Sequence, residues 1–439
     1  MSNDLPIINM RSQFERWNDL LTGKVRAALL TYGDSNNNYS SDGWNDGMAR
    51  AAFTAIASGG QGLGCFATAL LGYGGAGNTG VGSIGGDIQA TAETEALTNL
   101  PSQLDGFKPS ATQMVFLQPW WRETNVTAGN GRGYQLNASN ALGNARALRA
   151  RYWFGTGPSW GGTVQLAIRQ DSSPFTQHVT ASRVLTGAGG IAYGLREETL
   201  DLNAGVAADG ELLLVCQFRP GQAQTAPIYC PFMMAEAVDQ AAGLMVSPMV
   251  FAASQHLGTI EATYRTGCGQ AWKIAHMQAV NARLGTNGFL VHWVNSGIND
   301  HTASRSAAQF VADFEALRGE VLRISDLAGI SRERHLFMVG ATHPQNSAGP
   351  DATLRGYINA LTAYAPGVPN VLVVNLHSTR MGSAAEWTAR HDGGGAAHLK
   401  NTTAGYTDAA LAVWRHIRAA VAANVTGSRA RRALGAGVV

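Results

Sequence analysis

The hydrophobic period changes twice along this 439-residue chain, and that constrains the fold more than any single motif. Near the start, Val25, Ala27, Ala28, Leu29 and Leu30 form a short continuous apolar run, the pattern of a strand covered on both faces. Residues 44–56 follow with a helical pattern, and Asp42 stands where an N-cap would. From Thr112 to about Pro231 the period becomes two. Runs at 113–118, 147–154, 163–169, 175–185, 190–195 and 211–218 are separated by Gly, Pro, Asp or Ser, which predicts a β-sandwich or jelly roll. Strands at 249–253, 288–294, 335–339 and 370–374 then alternate with helices at 270–284, 304–324, 352–363 and 408–422. That rhythm predicts an α/β fold with a parallel sheet between helices, into which the sandwich is inserted near the beginning.

The limits that follow are a lead-in over 1–22 and an α/β domain built from 23–57 and 246–424. A glycine-rich connection spans 58–109, the sandwich 110–245 and a basic tail 425–439. The lead-in has helical spacing at Phe14, Trp17 and Leu20. Gly75, Gly77 and Gly80 formally match a dinucleotide fingerprint, but more glycine follows instead of an apolar helix, so the match is rejected.

Composition matters mainly by exclusion. Apolar residues at 45% and charged residues at 14% suit a folded chain. A net charge of +2 gives no reason to expect nucleic acid as partner, and no apolar run approaches the ~18 residues of a membrane span. No secretory leader is visible at the N-terminus. The cysteines 65, 216, 230 and 268 match no metal spacing; Cys216 and Cys230 either face each other across a hairpin or are free buried thiols. No metal and no cofactor are expected.

Three polar clusters fall at the ends of predicted strands of one sheet, and so on one edge. They are Gly33-Asp34-Ser35, Gly297-Ile298-Asn299-Asp300, and the segment from Asp392 to His398-Leu399 that leads to Gly405-Tyr406. Acyl transfer through serine needs a nucleophile, a base, a group that orients the base, and donors for the developing oxyanion. Ser35, His398, Asp392 and Asn299 are of the right types and in a workable order, although no G-x-S-x-G elbow surrounds Ser35. Among the aromatic residues of the sandwich, Trp120, Trp121, Tyr134, Tyr152, Trp153 and Trp160 either fill a core or offer a stacking platform for sugars; Trp160, in a Gly-Pro turn, is the one expected at the surface.

These blocks resemble those of the SGNH, or GDSL-like, hydrolases. The resemblance covers about 35 residues at the start and 246–422, but not the sandwich. It implies a three-layer flavodoxin-like sheet and an esterase in which Ser35 attacks, His398 relays the proton and Asp392 orients it. The oxyanion would be held by Ser35, Gly258 and Asn299. Two positions depart from the family pattern. Its acid stands three residues before the histidine, where this chain has Gly395, and the second glycine of its second block is replaced by Glu261. The oxyanion amide is therefore that of Gly258 or of Glu261. His256, His343 and His377 are expected to line the cleft or the surface, and His391 competes as a partner for Asp392.

With a sandwich that resembles a carbohydrate-binding module, the expected function is removal of O-acetyl or short acyl groups from a polysaccharide. The competing reading is a glycan-binding or structural protein whose hydrolase domain is inactive; an acyltransferase or lipid esterase is a third. The expected partner is an acetylated glycan, with a homo-oligomer or virion assembly beside it. The expected location is a virion or cell surface, or otherwise the cytoplasm.

Overall fold

The structure is a computed structural model. It describes residues 4–10, 13–34, 36, 65–71, 121–123, 132–136, 148–157, 162–172, 175–185, 194–202, 213–220, 228–230, 232–238, 241–250, 255–391, 398–400 and 403–435. Ser35, Trp160, Asp392 and the helix expected over 44–56 lie outside the described residues.

The chain is mixed α/β, organised on one ten-stranded mixed sheet. In chain order, the first strands are β1 (Ile7–Ile8), β2 (Arg26–Gly33), β3 (Cys65–Leu71), β4 (Trp121–Glu123), β5 (Arg132–Leu136), β6 (Leu148–Thr156), β7 (Thr163–Ser172) and β8 (Phe175–Val184). They are followed by β9 (Gly194–Leu202), β10 (Leu213–Pro220), β11 (Ile228–Cys230), β12 (Phe232–Ala237), β13 (Gly243–Val250), β14 (Phe289–Ser296), β15 (His335–Ala341) and β16 (Val371–Val374). The large sheet runs β1-β16-β15-β14-β2-β13-β3-β12-β6-β9. From β16 to β3 neighbouring strands are parallel, and from β3 to β9 antiparallel.

The helices are α1 (Phe14–Leu21), α2 (Leu257–Ala262), α3 (Gln270–Asn281), α4 (Ile298–Thr302), α5 (Ala307–Leu327), α6 (Ala348–Tyr364), α7 (Ala384–Arg390) and α8 (Asp408–Gly435). Alternation along β2 sends Ala27 and Leu29 to one face, where Trp17, Leu20, Val413, Trp414 and Ile417 of α1 and α8 cover them. It sends Ala28, Leu30 and Tyr32 to the other, against Leu257, Ile260, Trp272, Phe310, Phe314 and Tyr357 of α2, α3, α5 and α6. Two helical layers therefore enclose the parallel strands, which explains their unbroken apolar runs.

The period-two block is organised differently from its sequence pattern. β5-β10-β7-β8 form a separate antiparallel sheet, and β4 pairs with β11. However, β6, β9 and β12 continue the large sheet itself. Val164, Leu166 and Leu185 join the same buried cluster as Ala150, Tyr152, Phe154 and Leu200, so the two sheets pack face to face there. Tyr152 is fully buried and Trp153 nearly so, and both are core residues.

Several expected boundaries move for physical reasons. The strand expected over 249–253 is Gly243–Val250, because it is registered on β2, with Val250 opposite Gly33. Within the glycine-rich stretch, the short apolar run Cys65–Leu71 forms β3, which pairs between β13 and β12. α2 forms although Gly258 and Thr259 are poor helix formers; His256 caps it by accepting from the Thr259 N–H. α8 runs on through the basic tail to Gly435, where alanine and arginine sustain the helix. Cys216 and Cys230 do not face each other. Cys216 lies opposite Tyr134 and Ile168, whereas Cys230 pairs with Trp121 in another sheet. Cys268 is a free buried thiol, pushed up to about 12 by burial.

Two sets of buried polar groups in the core are paired. Lys273 bonds Glu320 at 2.5 Å and the carbonyls of Tyr264 and Arg265, with both charged side chains nearly inaccessible. Lys273→Met leaves Glu320 with Arg323, which donates to both carboxylate oxygens, and is therefore expected to cost less than the ~3–5 kcal/mol of an unpaired buried charge, measured by chemical denaturation.

A second set of buried groups links Tyr32 to His292 at 3.3 Å and His292 to His335 at 2.8 Å. His276 meets the Ser247 hydroxyl at 2.9 Å. Burial lowers both His276 and His335 to about 4 and holds His292 well below the ordinary histidine value. These rings bind protons more weakly in the folded chain than in the unfolded one. Their stabilising contribution is complete above pH ~6.5 and is lost as pH falls toward 4, at up to about 3 kcal/mol for each group lowered that far. Denaturation at pH 7 and 4.5 should show this loss, and His276→Gln should make it shallower.

Candidate active site

The three polar clusters of the sequence meet at the C-terminal edge of the parallel strands. Register carries them there: Gly33 on β2 lies opposite both Val250 and Asn295, and Ser296 lies opposite Ala341. Just beyond Gly33, Asp34 is fully buried. Its Oδ1 accepts from the backbone N–H of Asn36 at 2.9 Å and from the Asn36 amide at 3.1 Å. Its Oδ2 accepts from the Asn299 amide at 2.7 Å. The Tyr406 hydroxyl donates to Asn36 Oδ1 at 2.9 Å, and the Leu399 N–H donates back to that hydroxyl at 3.4 Å. A continuous hydrogen-bond chain thus joins the His398 loop, the turn that carries Ser35 and the Asn299 block.

Each block has a local reason for its shape. Gly297 adopts φ +143°, and a Cβ there would lie 2.7 Å from Leu354 Cδ2, so only glycine fits. This sharp corner starts α4 and places Asn299 opposite Asp34. The Asp300 carboxylate turns back to accept from the Ser296 hydroxyl at 2.8 Å and the Leu257 N–H at 3.1 Å, which ties α2 to the site. On the histidine side, His391 and Leu399 form a β-bridge and the Lys400 N–H donates to Arg390 O at 2.7 Å.

The candidate oxyanion donors are placed unequally. Gly258 sits in the first turn of α2, where a Cβ would lie 2.7 Å from the Asp313 carboxylate. The amides of Leu257, Thr259 and Ile260 are taken by Asp300 and His256. The Glu261 side chain is turned to Arg265, with which it pairs at 2.5 Å. Both hydrogens of the Asn299 amide already have acceptors, Asp34 at 2.7 Å and the Gln255 carbonyl at 3.3 Å. To hold an oxyanion, Asn299 must give up the longer bond.

The remaining histidines take distinct places. His256 caps α2. His343 is fully buried, parallel to Trp387 at 6.1 Å and 5.2 Å from His391. Burial holds it well below its ordinary value, reinforced by His391, His377 and His398. His377 bonds the Thr342 carbonyl at 2.8 Å and lies 3.1 Å from Asp351. His391 is buried within the bridge that leads to His398. His256, Asp300 and Asp313 lie close enough for a cation, but Asp313 is ion-paired to Arg305 and Asp300 is hydrogen-bonded to Ser296 and Leu257. Their partners account for them without a metal. Sequence reasoning missed Asn36 and Tyr406 as the links between blocks. The signal lay in their places, one directly after Ser35 and one eight residues after His398.

No family model matches this chain, and no curated protein matches it. Among solved structures, a family two carbohydrate esterase from Clostridium thermocellum in complex with cellohexaose is 13% identical, covers 55% of this chain and 80% of its own, and gives a TM-score of 0.23. A family two carbohydrate esterase from Cellvibrio japonicus is 11% identical over 58% of this chain and 80% of its own, with a TM-score of 0.24. A family 16 carbohydrate-binding module is 13% identical over 27% of this chain and 84% of its own, with a TM-score of 0.16. TM-scores this low carry no argument about the fold or the activity of this chain.

Burial raises Asp34 to about 6, with the Asp300 charge adding to the rise and the bonds from Asn36 and Asn299 opposing it. Its folded value exceeds the unfolded one. Its contribution to stability is therefore full below pH ~4 and is lost as pH rises through 6, about 3 kcal/mol in all. This runs against the histidines. Asp34→Asn should make the acid loss of stability steeper between pH 6 and 4, measured by denaturation at half-unit pH steps. The same variant sets an amide NH2 against Asn299 and should release it.

Proposed function

We propose that this chain is a serine esterase of SGNH type that removes O-acetyl or short acyl groups from a polysaccharide. The finer fold proposed with it is a flavodoxin-like α/β domain carrying an inserted β-sandwich. The observation that carries the reading is the hydrogen-bond chain Leu399–Tyr406–Asn36–Asp34–Asn299, which links three blocks far apart in sequence at one sheet edge. That chain runs through the sequence neighbours of Ser35 and His398 and through Asn299 itself, and serine, histidine and an amide donor are the residue types that acyl transfer needs.

In the proposed reaction the Ser35 hydroxyl attacks the ester carbonyl while His398 takes its proton. Asp392, three residues further from the histidine than in the family pattern, orients His398. The oxyanion of the tetrahedral intermediate is held by the amides of Ser35 and Gly258 and by Asn299. Collapse breaks the bond to the sugar oxygen, which takes the proton from His398. Water, deprotonated by His398, then attacks the acyl-serine and releases the acid with Ser35 restored. The reaction needs no cofactor. The glycan would be held by the sandwich, with Trp160 as its contact.

The engaged Asn299 amide favours a second reading, a glycan-binding protein with an inactive hydrolase domain. The two are separated by covalent chemistry. Under the first reading, a fluorophosphonate probe labels the chain, p-nitrophenyl acetate is turned over, and Ser35→Ala abolishes both, with turnover falling at least ~10³-fold. Labelling and turnover that do not depend on Ser35 would leave only the second.

A further inference from the structure

We propose that Tyr406 is a positioning residue for the esterase: its hydroxyl holds the turn that carries Ser35 and the loop that carries His398 at the spacing proton transfer needs. This role rests on the reading above. Tyr406 is fully shielded from water, so it acts on the reacting groups through their neighbours and does not touch the substrate.

The local sequence delivers this hydroxyl to a fixed point. Just before it, the chain passes so close to Lys400 that a Cβ on Gly405 would overlap the Lys400 backbone, 2.7 Å from its carbonyl carbon. Glycine alone permits that approach. Just after it, α8 begins at Asp408. The Tyr406 ring belongs to the same buried cluster as Trp387, Leu399, Val413 and Ile417, and His343 meets it edge-on at 6.4 Å. Close packing on these sides sets where the hydroxyl lies.

The hydroxyl bonds in two directions. It accepts from the Leu399 N–H at 3.4 Å, and Leu399 directly follows His398. It donates to Asn36 Oδ1 at 2.9 Å, and Asn36 directly follows Ser35. Asn36 is 1% exposed; its backbone N–H and its Nδ2 both donate to Asp34 Oδ1, at 2.9 and 3.1 Å. The polarity of the Asn36 amide is forced, because reversing it would set two acceptors against each other at Asp34. The Tyr406 proton thus secures an asparagine whose bonds to Asp34 close a turn over Ser35.

Other bonds tie each segment elsewhere. Leu399 and Lys400 are held to His391 and Arg390, and Asp34 is held to Asn299. The Tyr406–Asn36 bond crosses from the histidine side to the serine turn. A nucleophile and its base must meet within ~2.6–3.2 Å. A slip of one segment against the other therefore slows acylation while leaving the contacts that bind substrate in place.

The test uses the full chain and p-nitrophenyl acetate. Tyr406→Phe keeps the ring and removes both bonds. Its kcat is expected to fall about 10- to 100-fold with KM within about 2-fold of the parent, and fluorophosphonate labelling should slow in parallel. Ile417→Ala opens the same buried cluster from α8; it should lower the denaturation midpoint and leave kcat unchanged. Asn36→Ala should lower kcat as Tyr406→Phe does, and the double variant should be no slower than the slower single one, since both break one link. An unchanged kcat in folded Tyr406→Phe, an equal loss in Ile417→Ala, or losses that multiply in the double variant overturns the role. Should Tyr406→Phe not fold, Asn36→Ala decides: a loss of about 10-fold or more supports the link, and an unchanged kcat removes it. Absence of Ser35-dependent turnover in the parent overturns the esterase reading and this role with it, whereas Ser35-dependent turnover indifferent to Tyr406 overturns the role alone.

Discussion

The organisation of the candidate site depends on one buried carboxylate. Asp34 follows directly on the last residue of β2, fully shielded from water, and takes hydrogen bonds from Asn36 and Asn299 on its two oxygens. A carboxylate buried in this way is costly unless its lone pairs are filled. Three donors offset part of that cost, and their geometry dictates how Asn36 is turned and where the distant Asn299 block must sit. The charge nevertheless remains strained, since Asp34 is held near 6 and Asp300 stands close by. Neutralising it would relieve the strain and loosen the same connections. Stability and site order pull in opposite directions at this residue.

Around that point, the sheet works as a levelling device. Parallel pairing sets the ends of β13, β2, β14 and β15 side by side, so the turns that leave them share one edge. Two apolar layers hold the strands in that register, α1 and α8 on one face and α2, α3, α5 and α6 on the other. The buried Lys273–Glu320 pair and the Tyr32–His292–His335 series lie on the side of the second layer. The second, smaller sheet does not stand apart from this body. It packs on β6 and β9, which extend the sheet that carries the site.

Much of this was legible in the order of residues. Continuous apolar runs identified β2, β14, β15 and β16, because strands covered on both faces cannot alternate. Period-3.6 spacing identified α5, with Phe310, Phe314, Leu317, Val321 and Ile324 buried. Gly297 was visible as part of a block, and its positive φ and contact with Leu354 give the reason it is glycine. Other features were not legible. β3 is a glycine-free apolar run, Cys65–Leu71, set among abundant glycine, and α2 begins with residues of low helix propensity; where each one sits is fixed by its partners in the fold. The junction of β6, β9 and β12 with the parallel strands is a long-range pairing that no local pattern encodes.

What the chain determined by itself was the kind of layers it would form, and which short polar segments would end its strands. Hydrophobic period and turn chemistry are local, and they survive being read one residue at a time. Tertiary structure alone decided which of those segments would touch. Asn36 and Tyr406 are 370 residues apart, yet they close the link between the serine turn and the histidine loop. It also decided that both hydrogens of the Asn299 amide are already engaged. Those facts depend on distance and exclusion of water, which only the folded chain defines.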